Sequence, residues 1–323
     1  MRILPFILRR KKYIIMKKNN SDSWAYGPYS RYFDFIAENA DRYSILTEHA
    51  DTLRYNTSVI NVEGNRHIFI FPPGQKSLRT SYGLTSFTEG NPYLLCAHYD
   101  RVTGSPGAND NSIAVFHLLC AAAILIEKKI NNWIIVFTDK EELNPGEKLE
   151  EQGSYSLAKK IKNWGLNNVR IFNFDSCGAG EVFILSTTTD YFLKDNEHPN
   201  IINLRKSINA LRDHALLAAD NLRFDKVLLA PTPFSDDAGF LRAGLAAQTV
   251  TMLPLHEAEK YEALLRSRPE FADIIISGGV KAPEEKRNLP ETWRNLNNAG
   301  DIPSRLTPQH FDKTVRFMAE LCF

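Results

Sequence analysis

Little in this chain offers covalent or membrane support for a fold. Its 323 residues include four cysteines, Cys96, Cys120, Cys177 and Cys322, set far apart and mostly in apolar surroundings. That spacing excludes a disulfide framework and a cysteine-rich zinc module, and the four read as buried free thiols. An excess of one charge is also missing. Lys and Arg number 39 against 38 Asp and Glu, a formal net charge of +1, which argues against a dedicated nucleic-acid surface. No apolar run looks able to span a bilayer, and membrane association is not expected. Internal repeats, low-complexity tracts and a Pro/Gly-rich linker are absent, so one domain over residues 21–323 is expected. With 43% hydrophobic and 24% charged residues, the remainder is ordinary for a soluble globular chain.

Residues 1–20, MRILPFILRRKKYIIMKKNN, stand apart. Ile3 to Leu8 is too short for a signal-peptide core, and the basic run Arg9 to Lys12 follows it instead of preceding it. Two readings are open, a disordered extension or a start mis-assigned ahead of Met16. Both are favoured over a weak membrane-surface anchor, and both give a cytoplasmic location.

What the sequence does contain is a succession of strands, several with chemistry at their ends. Pro92 to Ala97 is a short apolar run typical of a buried strand, and His98-Tyr99-Asp100 follows where it should stop. A Gly/Pro/Ser loop leads to Asn109-Asp110-Asn111, and the apolar helix Ser112 to Lys128 starts directly after it. Asn132 to Thr138 is a second strand, with Asp139-Lys140-Glu141-Glu142 at its end, and the helix Gly153 to Trp164 follows. Val169 to Phe174 is a third strand, closed by Asp175. Upstream, Tyr29 to Leu53 reads as one or two amphipathic helices, and residues 58–62 with 67–71 as an edge hairpin. Downstream come a strand over Glu181 to Ser186, a helix over Ile202 to Ala219, and a loop over 231–244 with Asp236 and Asp237, followed by a short helix. A strand over Leu245 to Pro254, a helix over Glu257 to Arg268 and a mobile loop over 281–290 precede a closing helix, Thr307 to Leu321, with Thr307 as its cap. Alternation at this period predicts an α/β fold: a mostly parallel mixed sheet flanked by helices on both faces.

In an open α/β sheet the carboxyl ends of the strands form the ligand crevice. His98, Asp110, Glu141, Glu142 and Asp175 would meet there. An imidazole among carboxylates suits zinc, and Asp100 could orient the His98 ring.

These stretches, LLCAHYDRV, PGANDNSIAV, VFTDKEE with QGSYSLAKKI downstream, FNFDSCGAG and FSDDAGFLRAGLAAQTVTMLP, together resemble the co-catalytic zinc aminopeptidases and their relatives the glutaminyl cyclases over residues 90–323. The resemblance implies one or two zinc ions, with Asp110 bridging, His98 and Asp175 completing one site, and Glu142 belonging to the other. Glu141 would be the general base and Asp100 the orienting group; Asp236 would lie behind the site, face the substrate, or simply cap a loop. One departure stands out: Arg294 occupies the place of the family's last metal-binding His, and a charged guanidinium has no lone pair to give. His256 could replace that ligand in space. Position 237 departs as well, with Asp where the family usually has His. His310 reads as structural or surface.

Three functions follow. The first is a hydrolase that removes residues from peptides with a free N-terminus. The second is a single-zinc acyltransferase like glutaminyl cyclase, and the third a non-catalytic descendant that binds peptides. The sequence gives neither the preferred side chain nor the oligomeric state.

Overall fold

Among the described residues, eight strands form one mixed sheet in the order β1-β2-β4-β3-β5-β8-β6-β7. They are β1 (Asn56–Val62), β2 (Asn65–Phe71), β3 (Tyr93–His98), β4 (Trp133–Thr138), β5 (Arg170–Phe174), β6 (Val182–Ser186), β7 (Val227–Ala230) and β8 (Ala247–Leu253). The computed structural model describes residues 27–75, 91–193, 195–277 and 282–323; the expectations for residues 1–20 and for Lys281 fall outside them. Strands β4, β3, β5 and β8 run parallel, as do β6 and β7, while β2 meets β4 and β6 meets β8 antiparallel. The hairpin β1–β2 closes one edge through Glu63 and Gly64, both at positive φ.

The central strands read as continuous apolar runs because both of their faces are covered. Strand parity splits their side chains into two cores. Tyr93, Leu95 and Ala97 of β3 join Trp133, Ile135 and Phe137 of β4 under the apolar helix α3 (Ile113–Glu127). This face also receives Tyr32 and Phe35 of α1 (Tyr32–Ile36), Leu46 of α2 (Arg42–Thr52) and the closing helix α11 (Phe311–Glu320), which packs on α3. Leu94 and Cys96 with Ile134 and Val136 face the other way, against α4 (Gly153–Asn163) and α7 (Asp236–Arg242). A third cluster packs β6, β7 and β8 on α8 (Leu255–Ser267), α9 (Phe271–Ile276) and Trp293 of α10 (Glu291–Arg294). Two further helices, α5 (Thr188–Leu193) and α6 (Pro199–Asn221), connect β6 to β7.

Several local expectations are corrected. Thr307 does not cap the closing helix: its hydroxyl donates to the Gly178 carbonyl at 3.1 Å and accepts from the Gly180 amide at 2.6 Å, and α11 begins only at Phe311. Asp236 and Asp237 lie in the first turn of α7, not in a loop. Pro283–Asn288 is a 3-10 helix tied to Arg268 through Glu285, at 3.3 and 3.2 Å, rather than a mobile loop. The segment Ala108–Glu127 is long and apolar enough to cross a bilayer, yet 78% of its window is buried inside the fold, so it serves as a core helix. All four cysteines are free, and three of them are buried.

Candidate metal centre

Because β4, β3 and β5 are adjacent and parallel, their carboxyl ends lie side by side along one edge of the sheet. His98 is the last residue of β3. Glu141 and Glu142 follow β4 after a turn in which Lys140 has φ 59°, and Asp175 follows β5 ahead of Ser176 at φ 57°. A left-handed non-glycine residue costs about 1 kcal/mol or more. Both turns are held from outside: the Gly153 amide donates to Lys140 O at 2.9 Å, and the Ser176 amide donates to Asn111 Oδ1 at 3.2 Å.

The side chains converge on one imidazole. His98 Nε2 lies 3.1 Å from Asp110 Oδ1 and 3.8 Å from Asp175 Oδ2, while Nδ1 faces Asp100 Oδ1 at 3.4 Å. The other Asp100 oxygen accepts from the Glu142 amide at 3.0 Å. Donor atoms of His98, Asp110 and Asp175 all fall within 4.8 Å of one another, as do those of His98, Glu141 and Glu142. A cavity of about 390 Å³ opens here, lined by Asp110, Glu141, Glu142 and Asp175 and, among its apolar residues, by Phe234, Trp293 and Leu296.

The electrostatics are those of acids crowded together out of water around one imidazole. Burial pushes Glu142 up to about 9, helped by Asp110 and opposed by His98; Asp175 rises to about 6 for the same reasons. Glu141 is held well above the usual carboxylate range by burial and by Glu142, Asp175 and Asp236, against the pull of His98. Burial opposes a charge on His98, but Asp100, Asp110, Glu141 and Asp175 outweigh it and drive the imidazole far upward. His98 Nε2 and Glu142 Oε1 are buried without a hydrogen-bond partner. A buried imidazole nitrogen surrounded by acids, with oxygen donors on several sides, fits a divalent cation of the zinc type.

Not every expected residue arrives. His256 sits on α8 with its side chain 68% exposed, beside Glu257 at 4.0 Å, and cannot supply a ligand. Arg294 does not line the cavity, although Trp293, Leu296 and Asn297 of the same segment do. Among the described residues no ion pair joins it to Glu142 or Asp110. Asp236 is fully buried, accepting from Thr138 Oγ1 at 2.5 Å, and does not line the cavity.

Sequence reasoning missed Gln152, whose amide donates to Glu141 Oε1 at 3.2 Å, and Asp301, whose two oxygens accept from the Asn109 and Asp110 amides at 2.8 and 3.0 Å. Burial, then the nearby Asp110, push Asp301 up to about 7. Nothing local marks Asp301 in the sequence, since its partners lie some 190 residues away: the Asn109 bond spans 192 positions and the Asp110 bond 191.

The pattern of Peptidase family M28 matches residues 83–266, more than half of the chain. The chain belongs to peptidase family M28. Within solved structures, this M28 chain is similar in fold to the LapA aminopeptidase of Legionella pneumophila, with 11% identity, a TM-score of 0.58, and 91% of this chain and 70% of that one covered. It is likewise similar to the glutaminyl cyclase of Bacteroides thetaiotaomicron, with 15% identity, a TM-score of 0.57, and 91% and 97% covered. It spans about half of the zinc aminopeptidase of Bacillus subtilis, 48% of that chain, at 17% identity and a TM-score of 0.46. No curated protein matches the sequence. The mixed sheet of this M28 member agrees with the fold expected from its sequence.

Proposed function

We propose that the chain is a zinc-dependent hydrolase that removes residues from the free N-terminus of peptides. The observation that carries this reading is the convergence of His98 with Asp110, Asp175, Glu141 and Glu142 at one cavity. His98, Asp110 and Asp175 would hold the ion, and Glu142 would contribute from beside them. Bound zinc supplies Lewis acidity, which polarises a carbonyl and makes water a better nucleophile near neutral pH. Asp100, facing Nδ1, sets the ring so that Nε2 points at the acids. Glu141, steadied by Gln152, takes a proton from the attacking water and passes it to the leaving amine. Among the described residues, those that line the cavity include four acids and no Lys, Arg or His. Such a field draws in the ammonium of a peptide N-terminus and repels a terminal carboxylate.

A second reading, acyl transfer of the glutaminyl-cyclase kind, is retained because the chain spans nearly the whole of the Bacteroides cyclase. One experiment separates the readings. Zinc-loaded protein is incubated with unblocked peptides, one of which begins with glutamine, and the products are weighed by mass spectrometry. Release of the first residue supports the hydrolase. Loss of ammonia from the glutamine peptide alone would replace it with the cyclase, and binding without any mass change would leave a peptide-binding protein.

A further inference from the structure

Arg42 is 6% exposed, and among the described residues it forms no ion pair with a carboxylate. It is nonetheless saturated. Its Nε donates to Phe35 O at 3.2 Å, its Nη1 to Tyr99 O at 3.1 Å and Asp100 O at 3.0 Å, and its Nη2 to Pro106 O at 2.9 Å, Gly107 O at 3.4 Å and Ser112 Oγ at 2.8 Å. Five of the six acceptors belong to residues 99–112, the segment that starts beside His98 and carries Asp100 and Asp110. The fit is close. Gly107 has φ 61°, and a Cβ there would stand 2.8 Å from Arg42 Nη2 and 2.8 Å from Asp110 O. On the other side Asp301 accepts from the Asn109 and Asp110 amides, and its own carbonyl accepts from the Ala108 amide at 3.3 Å. The segment is therefore gripped between a helix that precedes it and a loop near the end of the chain.

We infer that Arg42 and Asp301 are positioning residues: they fix residues 99–112 so that Asp100 meets His98 and Asp110 reaches the ion, and they thereby set the affinity of the centre for its cation. Neither residue touches the cavity. The effect on the metal rests on the zinc reading above; the effect on the segment does not.

Charge and position predict opposite signs at Arg42. A guanidinium behind the acids opposes a dication, so if charge were its only influence, Arg42→Met would tighten zinc binding. Positioning predicts weaker binding, by about 10- to 100-fold, the usual consequence of losing a group that supports a metal ligand. Arg42→Lys restores charge but offers one compact ammonium, which cannot span these acceptors, so it should behave like Arg42→Met. The control is Leu46→Ala, on the same helix but packed in the core: its Tm should fall while zinc affinity holds.

Zinc affinity, measured by competition with a chromogenic chelator, is paired with hydrogen exchange on the metal-free protein. A carboxamide has one acceptor oxygen where the carboxylate has two, so Asp301→Asn should lose protection at one of the Asn109 and Asp110 amides and bind zinc about 10-fold more weakly. Should Arg42→Met not fold, Gly107→Ala presses on the same contact and should weaken zinc in the same direction. Unchanged or tighter zinc binding in a folded Arg42→Met, or unchanged amide protection in Asp301→Asn, overturns the inference. An unmutated protein that binds no zinc would remove the zinc reading and the affinity half with it, and amide protection alone would then decide whether the segment is held as inferred.

Discussion

His98 and His117 are both fully buried, and they respond to burial in opposite ways. His117, on α3, lies against the rings of Phe311 and Tyr29 at 4.7 and 5.8 Å, and its Nδ1 meets the Tyr29 hydroxyl at 2.5 Å. Burial pushes its pKa down to about 3, against a backbone hydrogen bond with Cys177 that raises it. His98 is equally enclosed, but the acids around it drive its pKa up. Burial is common to both, so it does not make a site. Converging acids do, because they are costly without a partner: two unit charges about 4 Å apart repel by roughly 4 kcal/mol at an effective dielectric near 20. Asp110, Glu141, Glu142 and Asp175 at one cavity are acids of this kind, and burial with the neighbouring Asp110 pushes Glu142 up to about 9.

The largest expected effect tests this directly. His98→Ala should abolish stoichiometric zinc, a loss greater than the roughly 100-fold that a supporting residue costs, whereas His117→Ala should keep its metal. Metal analysis of the two purified variants decides it, and equal zinc in both would erase the distinction. Next comes Glu141→Gln, which preserves shape and removes the proton acceptor. Turnover should fall by about 10²-fold or more with zinc content unchanged. Loss of zinc along with activity would make Glu141 a ligand and move the base elsewhere.

How much of this was legible depended on whether neighbours along the chain or across the fold decide a position. The ends of β3, β4 and β5 could be read because an apolar run fixes a strand and parallel pairing then aligns the ends, which is why His98, Glu141, Glu142 and Asp175 come together as expected. Elements of four to six residues, β7, α5 and α9, were missed because they span too few residues to show a period. Asp301 and Arg42 act on residues 99–112 across the fold, and no local pattern announces either. His256 failed as a substitute ligand because α8 turns it to solvent.

A smaller effect should appear in acid. His117 has a folded pKa of about 3, below the ordinary unfolded value of about 6.5. Between those limits the unfolded chain takes up the proton and the folded chain does not. Its contribution to stability is thus complete above about pH 6.5 and is lost as the pH falls toward 3, at about 1.4 kcal/mol per pH unit. The carboxylates raised at the centre shift stability in the opposite sense, so the wild-type curve alone is ambiguous. The stability difference between wild type and His117→Gln isolates the imidazole. Measured by denaturant unfolding, it should change by about 1.4 kcal/mol between about pH 7.5 and 5.5. A difference that does not vary with pH would mean that His117 is not held neutral.

The smallest expected effect concerns Arg294. Placed against Glu142, its guanidinium would repel a second dication by about 8 kcal/mol at 4 Å and an effective dielectric near 20, and its removal would admit another metal. The structure argues for almost no effect. Trp293, Leu296 and Asn297 line the cavity, whereas Arg294, the last residue of α10, does not. Its charge acts instead on Glu291, which lies below its ordinary value chiefly through Arg305, with Arg294 and His256 adding to the pull. Arg294→Ala should therefore change zinc affinity by less than about 3-fold, or roughly 0.6 kcal/mol, and leave the number of bound ions as it is. Titration of zinc into both proteins, read by calorimetry, provides the comparison. A variant that binds one more ion than wild type, or binds its zinc about tenfold more tightly, would mean that the guanidinium reaches Glu142, and the place of Arg294 outside the cavity would have to be abandoned.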